Sequence, residues 1–271
     1  MLLLNNSSLL TLANSRKQRF PTFLLLLIVI LCIPQFVSAN PEFKDANALM
    51  RHIDRMWRGD SSHVRMTMSV NTSRYQRTME LESWSKGKEK SLIIIRSPKK
   101  DRGIATLKVD ENIWNYLPKI NRTTKVPASL MSGSWMGSHF TNDDLVKENT
   151  YEDDYTSSIT FEGERQGKAV IEVTSIPKQD AAVVWGKVVT LIDPQNYTPT
   201  EALYYDEEQV LIRKMLFDNI ITQNNRVIPT RLTLLPINKP KESTTVEYAK
   251  IVFDIALDDK MFSLQSLQKR R

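Results

Sequence analysis

The chain has 271 residues, 37 Lys and Arg against 31 Asp and Glu, a formal net charge of +6 and one cysteine. That length allows one or two domains. Residues 40–271 carry only +3 of that excess, too little to imply nucleic acid, and a lone cysteine excludes an internal disulfide or a cysteine-rich metal site.

The start of the chain has its own pattern. Arg16, Lys17 and Arg19 precede an uninterrupted apolar run at 23–33, Pro34 ends it, and Val37, Ser38 and Ala39 are small or modest in size. Basic, apolar, then small is the order of a secretory signal peptide, so residues 1–39 are expected to be cleaved off after Ala39. As a membrane anchor the run is too short, since eleven helical residues rise about 16 Å against a hydrocarbon core of roughly 30 Å. Leu31 occupies the position that lipid attachment at Cys32 would require to be small. The expected product is residues 40–271, a single periplasmic domain with 34 basic and 31 acidic residues and no cysteine. It cannot use disulfides or thiolate chemistry.

In chain order, residues 43–59 place Ala46, Leu49, Met50, Ile53, Met56 and Trp57 at helical spacing, with Gly59 as a stop. Alternating or β-branched runs follow at 63–70, 77–87, 91–98, 103–110 and 112–118, the last two forming a hairpin around Asp110 to Asn112. Residues 118–155 break the alternation and are rich in Ser, Asn and Asp. Further strand patterns lie at 157–164, 168–177, 186–193, 199–207, 210–220, 226–236 and 243–254. The runs together suggest about eleven antiparallel strands, too many for a flat open sheet. Short helical patterns at 142–148 and 258–262 are available to cover a face.

Catalytic and metal chemistry finds little support. His52, His63 and His139 are far apart, with no carboxylate at metal-ligand spacing. The stretch GSWMG has Trp135 where a nucleophile elbow would have serine. The pairs Asp143–Asp144 and Asp153–Asp154 read as solvated charges at helix starts rather than an acid–base pair. Trp84, Trp114, Trp135 and Trp185, with Met66, Met68, Met79, Met131, Met136 and Met215, supply apolar volume. They read as core, or as the adaptable wall of an apolar pocket. No cofactor is expected.

The stretch WNYLPKINRTTKVPASLMSGSWMGSHFTNDDL, residues 114–145, resembles the LolA/LolB-like outer membrane lipoprotein-sorting proteins. One LolA-like branch carries Y-L-P followed by basic residues, here Tyr116, Leu117 and Pro118 with Lys119, Arg122 and Lys125. Its second block, G-S-x-M-G-S-x-F-[ST]-x-[ED]-D, corresponds to Gly133, Ser134, Met136, Gly137, Ser138, Phe140, Thr141, Asp143 and Asp144. His139 departs from the acidic residue common in that branch. The similarity extends over residues 46–267, including the closing DDKMFSLQSL.

The resemblance implies a mainly β fold, an incomplete antiparallel barrel of about eleven strands covered by helices. It also implies a non-catalytic periplasmic carrier whose apolar cavity takes the acyl chains of a lipoprotein or lipid. Trp84, Trp114, Met131, Trp135, Met136 and Phe140 are its candidate cavity or mouth residues. An inner-membrane transporter of the resistance–nodulation–division or lipoprotein-release ABC type is the implied partner, with transient membrane contact. The arginine that controls the lid of the better-known carrier has no motif to place it. A lipid-sensing envelope regulator with the same half-barrel is the alternative. Trp135 and Met136 are either a staple closing one end of the barrel or part of the pocket wall.

Overall fold

The structure is a computed structural model, describing Phe43, residues 45–147 and residues 151–269. The expected signal peptide, 1–39, lies outside the described residues. All the elements below belong to the unit Ala39–Arg271.

The first helix, α1 (Ala46–Arg58), begins at Asp45, whose carboxylate accepts from the Ala48 amide at 2.7 Å. It ends at Gly59, whose φ of 63° lets its amide close back onto Arg55 O. Six strands follow: β1 (Ser61–Asn71), β2 (Gln76–Lys86), β3 (Lys90–Ser97), β4 (Ala105–Val109), β5 (Asn112–Leu117) and β6 (Arg122–Lys125). After a long connection come β7 (Tyr155–Arg165), β8 (Lys168–Pro177), β9 (Lys187–Asp193), β10 (Thr198–Tyr205), β11 (Leu211–Gln223), β12 (Arg226–Pro236) and β13 (Ser243–Phe253).

All thirteen strands form one antiparallel sheet, in the order β6-β5-β4-β3-β2-β1-β13-β12-β11-β10-β9-β8-β7. Two meanders therefore meet at a central seam, where Val64 pairs with Ile251 and Met68 with Val246. The expected count of about eleven is corrected to thirteen. Each alternating run became a strand, and β6 was added; its four residues, Arg-Thr-Thr-Lys, are too few and too polar to show alternation. The sheet is not closed, since β6 and β7 are its edges.

Laid flat, β3 and β7 would be nine strand spacings apart, roughly 43 Å. Yet Ile95 of β3 and Tyr155 of β7 belong to one buried cluster with Met68, Met79, Leu81, Trp185 and Leu234. Strand twist has coiled the sheet around its inner face. On the second meander, Ala46, Leu49 and Met50 of α1 pack on Ile171, Val173 and Ile192. Trp57 lies edge-on to Phe217 and Tyr248, at 5.7 and 5.9 Å between ring centres.

On the opposite face, the C-terminal stretch covers the first meander. Phe262, in a 3-10 turn, and Leu267, in a helix at Leu264–Lys269, pack with Trp84, Leu92, Ile94, Leu107 and Tyr116. Asp259 pins this cover through Lys86 at 2.7 Å and Lys90 at 3.1 Å. Among the described residues no helix is long and apolar enough to cross a membrane.

The seam sets the stability of the sheet. Met68→Ala, at a fully buried position on β1, is expected to cost about 3 kcal/mol, read as a lowered urea midpoint with an unchanged m-value.

Candidate functional site: a plug across the inner face

Every connection between consecutive strands joins neighbours except one. Residues 126–154 run from edge β6 to edge β7, past the whole width of the sheet. This is the segment in which alternation fails. It contains a 3-10 turn at Ala128–Leu130, then α2 (Asn142–Lys147) and α3 (Tyr151–Asp154).

Between Leu130 and α2 the chain folds into a tight hairpin. Ser134 and Thr141 bridge, the Trp135 amide donates to Phe140 O at 2.7 Å, and the Ser138 amide donates to Trp135 O at 2.9 Å. Met136 and Gly137 at the tip have φ of 52° and 72°, the successive left-handed pair that a type I′ turn demands. Glycine suits 137 for its φ, and a Cβ there would also lie 2.9 Å from Tyr75 Oη, which would have to shift. Met136 carries the left-handed strain as a non-glycine residue, a cost of about 1–2 kcal/mol that the surrounding contacts must offset.

Those contacts come from widely separated strands. Trp135, 4% exposed, sits in the inner cluster and donates from Nε1 to Thr106 Oγ1 of β4 at 3.1 Å. Met136 and Phe140 pack beside it, half-buried. Tyr75 Oη donates to Gly137 O, and Arg77 to Met136 O at 3.2 Å. The His139 amide donates to Thr244 Oγ1 at 3.1 Å, and its ring lies 2.8 Å from the same hydroxyl and 3.1 Å from Glu242.

The strongest tie is ionic. Thr141 and Asp144 form a reciprocal capping box at the start of α2, at 2.7 and 3.1 Å. The same carboxylate receives both ends of the Arg213 guanidinium from β11, at 2.5 and 2.8 Å. Arg213 is 3% exposed and lies between the Trp185 and Tyr204 rings, 4.2 and 4.3 Å from their centres. Burial by itself pushes the Asp144 carboxyl up, but Arg213 and then Thr141 hold it below the usual carboxylate range. The expectation of solvated helix-start charges is therefore corrected for this pair: Asp143 is buried, and Asp144 is bonded into the interior. Asp153 does reach solvent, 3.4 Å from Lys88.

Beside the plug is a hollow of about 460 Å³ lined by Arg77, Asp101, Ile104, Asn115, Leu117, Thr124 and Met136. Its volume lies within the range of small-molecule sites. Arg77 and Asp101 pair in its wall at 3.0 Å. Under α1, by contrast, packing leaves about 10 Å³.

The structure thus gathers Trp135, Met136 and Phe140 on the inner face, with Leu117 at the rim. Met131 is half-buried at the base of the hairpin, where its carbonyl accepts from the Asp143 amide at 2.9 Å. Trp84, Trp114 and Tyr116 are not brought there; they pack on the outer face under the C-terminal cover. Gly133, Ser134, Ser138 and Pro118 shape the backbone, Pro118 by lying against Gly103. Sequence reasoning missed Arg213. Its signal was parity: in β11 it shares a face with Met215 and Phe217, and a charge in an apolar row needs a buried partner.

Asp144→Ala leaves the Arg213 charge buried without that carboxylate and is expected to cost about 3–5 kcal/mol, measured by urea unfolding. Glu242 supplies a pH test. The Ser73 amide first, and then His139, hold its carboxyl down to about 2 from an ordinary 4.5. A depressed folded pKa gives stability that is fully present above pH 4.5 and lost as pH falls toward 2. Glu242→Gln is expected to flatten that part of the stability–pH curve.

A family model with the description "uncharacterized protein" matches residues 87–269. No curated protein matches the sequence. Among solved structures, a DUF1329 family protein from Desulfovibrio piger superposes with a TM-score of 0.74 at 21% identity, covering 82% of this chain and 97% of that one. A domain assigned to the outer membrane lipoprotein-sorting proteins, from Vibrio parahaemolyticus, gives 0.69 at 21% identity, covering 82% and 98%. A LolA superfamily protein from Nitrosomonas europaea gives 0.70 at 20% identity, covering 82% and 99%. The chain belongs to the family that the matching model describes, and its fold is that of the LolA/LolB-like outer membrane lipoprotein-sorting proteins.

Proposed function

We propose that this protein is a non-catalytic periplasmic carrier, exported by cleavage after Ala39, that holds lipid or lipoprotein acyl chains on the inner face of its coiled sheet. The observation that carries the reading is the plug: an apolar hairpin bearing Trp135, Met136 and Phe140, laid over the inner face beside a 460 Å³ hollow and held by polar ties at Tyr75, Arg77, Thr244 and Arg213. Much of the inner face is occupied by the protein's own side chains, so an acyl chain enters the hollow and enlarges it by lifting the hairpin. The names of two structural neighbours, which refer to lipoprotein sorting and to LolA, point the same way.

The energetics suit a carrier. Each methylene moved out of water contributes about 0.8 kcal/mol. A chain leaving a bilayer forfeits that gain and recovers it only against apolar walls, which in the hollow are Ile104, Leu117 and Met136, so holding a whole chain requires the inner cluster that the lifted hairpin uncovers. The difference between full and empty states is then set by the plug, whose own apolar side chains lose or regain contact with the sheet. The transporter partner, of the resistance–nodulation–division or lipoprotein-release ABC type, would set the direction.

Delipidated protein is expected to take up a fluorescent fatty acid at about one per chain, an upper-end stoichiometry for a hollow of this size class. Failure of the folded wild type to take up the probe overturns the carrier reading. Trp135→Ala then separates the two roles of the plug. A folded variant with lost uptake makes Trp135 part of the wall, whereas an unfolded one makes it a staple.

A further inference from the structure

Two neighbouring hairpin tips carry exposed charge of one sign. The β3–β4 turn presents Lys99, Lys100 and Arg102, and the β5–β6 hairpin presents Lys119 and Ile120 in its turn and Arg122 at the start of β6, all six of them exposed. The tips touch: a Cβ built on Gly103 would lie 3.3 Å from Pro118 Cγ. The one acid among them, Asp101, is turned onto Arg77 at 3.0 Å. Among the described residues, Lys99, Lys100, Lys119 and Arg122 make no ion pair, so their charge is directed at solvent. Ile120, at the apex of its turn, is 63% exposed, the highest value among the large apolar side chains described. Leu117 and Asp101 also line the hollow, so the patch sits on its rim.

We propose that these two tips form a docking surface for an anionic phospholipid bilayer, the basic side chains meeting headgroup phosphates and Ile120 entering the interface. An acidic protein would satisfy the charges but has no need of an isoleucine held out at a turn apex, whereas a bilayer surface receives both. Each basic residue near an anionic surface strengthens binding by roughly fivefold, and salt screens the effect over about 10 Å at 0.1 M. The inference does not rest on the carrier reading, because docking can occur whether or not the hollow accepts an acyl chain.

The test is co-sedimentation with vesicles of phosphatidylglycerol and phosphatidylcholine against vesicles of phosphatidylcholine alone, with fatty-acid uptake measured separately. The wild type is expected to bind the anionic vesicles at least tenfold more tightly and to release them as salt is raised. The triple change Lys99→Glu, Lys100→Glu and Lys119→Glu is expected to weaken that binding by about a hundredfold. Its unfolding midpoint should stay unchanged, as all three sites are exposed. In a second variant, Ile120→Trp, the fluorescence gain of the introduced side chain should shift to the blue on anionic vesicles only. Equal binding to both vesicle types, undiminished binding by the triple variant, or an unshifted spectrum in vesicle-bound Ile120→Trp protein overturns the proposal, and the tips then face water or an acidic protein.

Discussion

An antiparallel sheet whose two edges do not pair cannot seal its own apolar inner face. Here that face carries fully buried side chains on both meanders, among them Met68, Met79, Val173 and Ile192, and the chain must supply a cover from outside the sheet. It does so twice. Helix α1 covers the second meander, and the crossover from β6 to β7 lays a hairpin over the space between the two. The crossover is a topological necessity, because the second meander begins at the far edge. The plug therefore uses chain that the topology already requires to connect the two edges.

The two covers are held differently. Helix α1 is attached mainly by apolar contact, the kind of packing that is lost gradually with area. The hairpin depends on discrete polar ties, among them the ion pair of Arg213 with Asp144, whose side chains are 4% and 15% exposed. A buried ion pair adds little net stability over an apolar pair of equal volume, but it is costly to break singly and so favours one geometry. Such a tie gives two definite arrangements, engaged or released, rather than a continuum of loosened ones.

Strand positions were legible in the sequence because a half-buried strand repeats every two residues. Even the Asp110 turn was readable, and its φ of 54° is one that aspartate tolerates better than most residues. The short strand β6 was not legible, since pairing with β5 alone, and not burial, makes it a strand. Parity also held unused information. Met79 and Leu81 are two apart and Trp84 falls on the other side of β2, so its assignment to the outer face follows from alternation alone. The buried state of Asp143 and Asp144 had no such signal. Two acids at a helix start look the same whether water receives them or, as here, the Val184 amide receives Asp143 and an arginine sixty-nine residues later receives Asp144.

The central seam pairs the first strand made with the last. During synthesis or translocation, β1 waits for almost the entire remaining chain before β13 arrives, while β2 can join it from the other side at once. Half of the sheet thus exists for a time as a six-stranded ribbon with an open, apolar-faced border at its future centre. Pairings of such long sequence separation form slowly, and an unprotected strand border invites foreign strands. Until β13 arrives, the border of β1 is therefore an open edge additional to those at β6 and β7, and it lies in the middle of the sheet once the chain is complete.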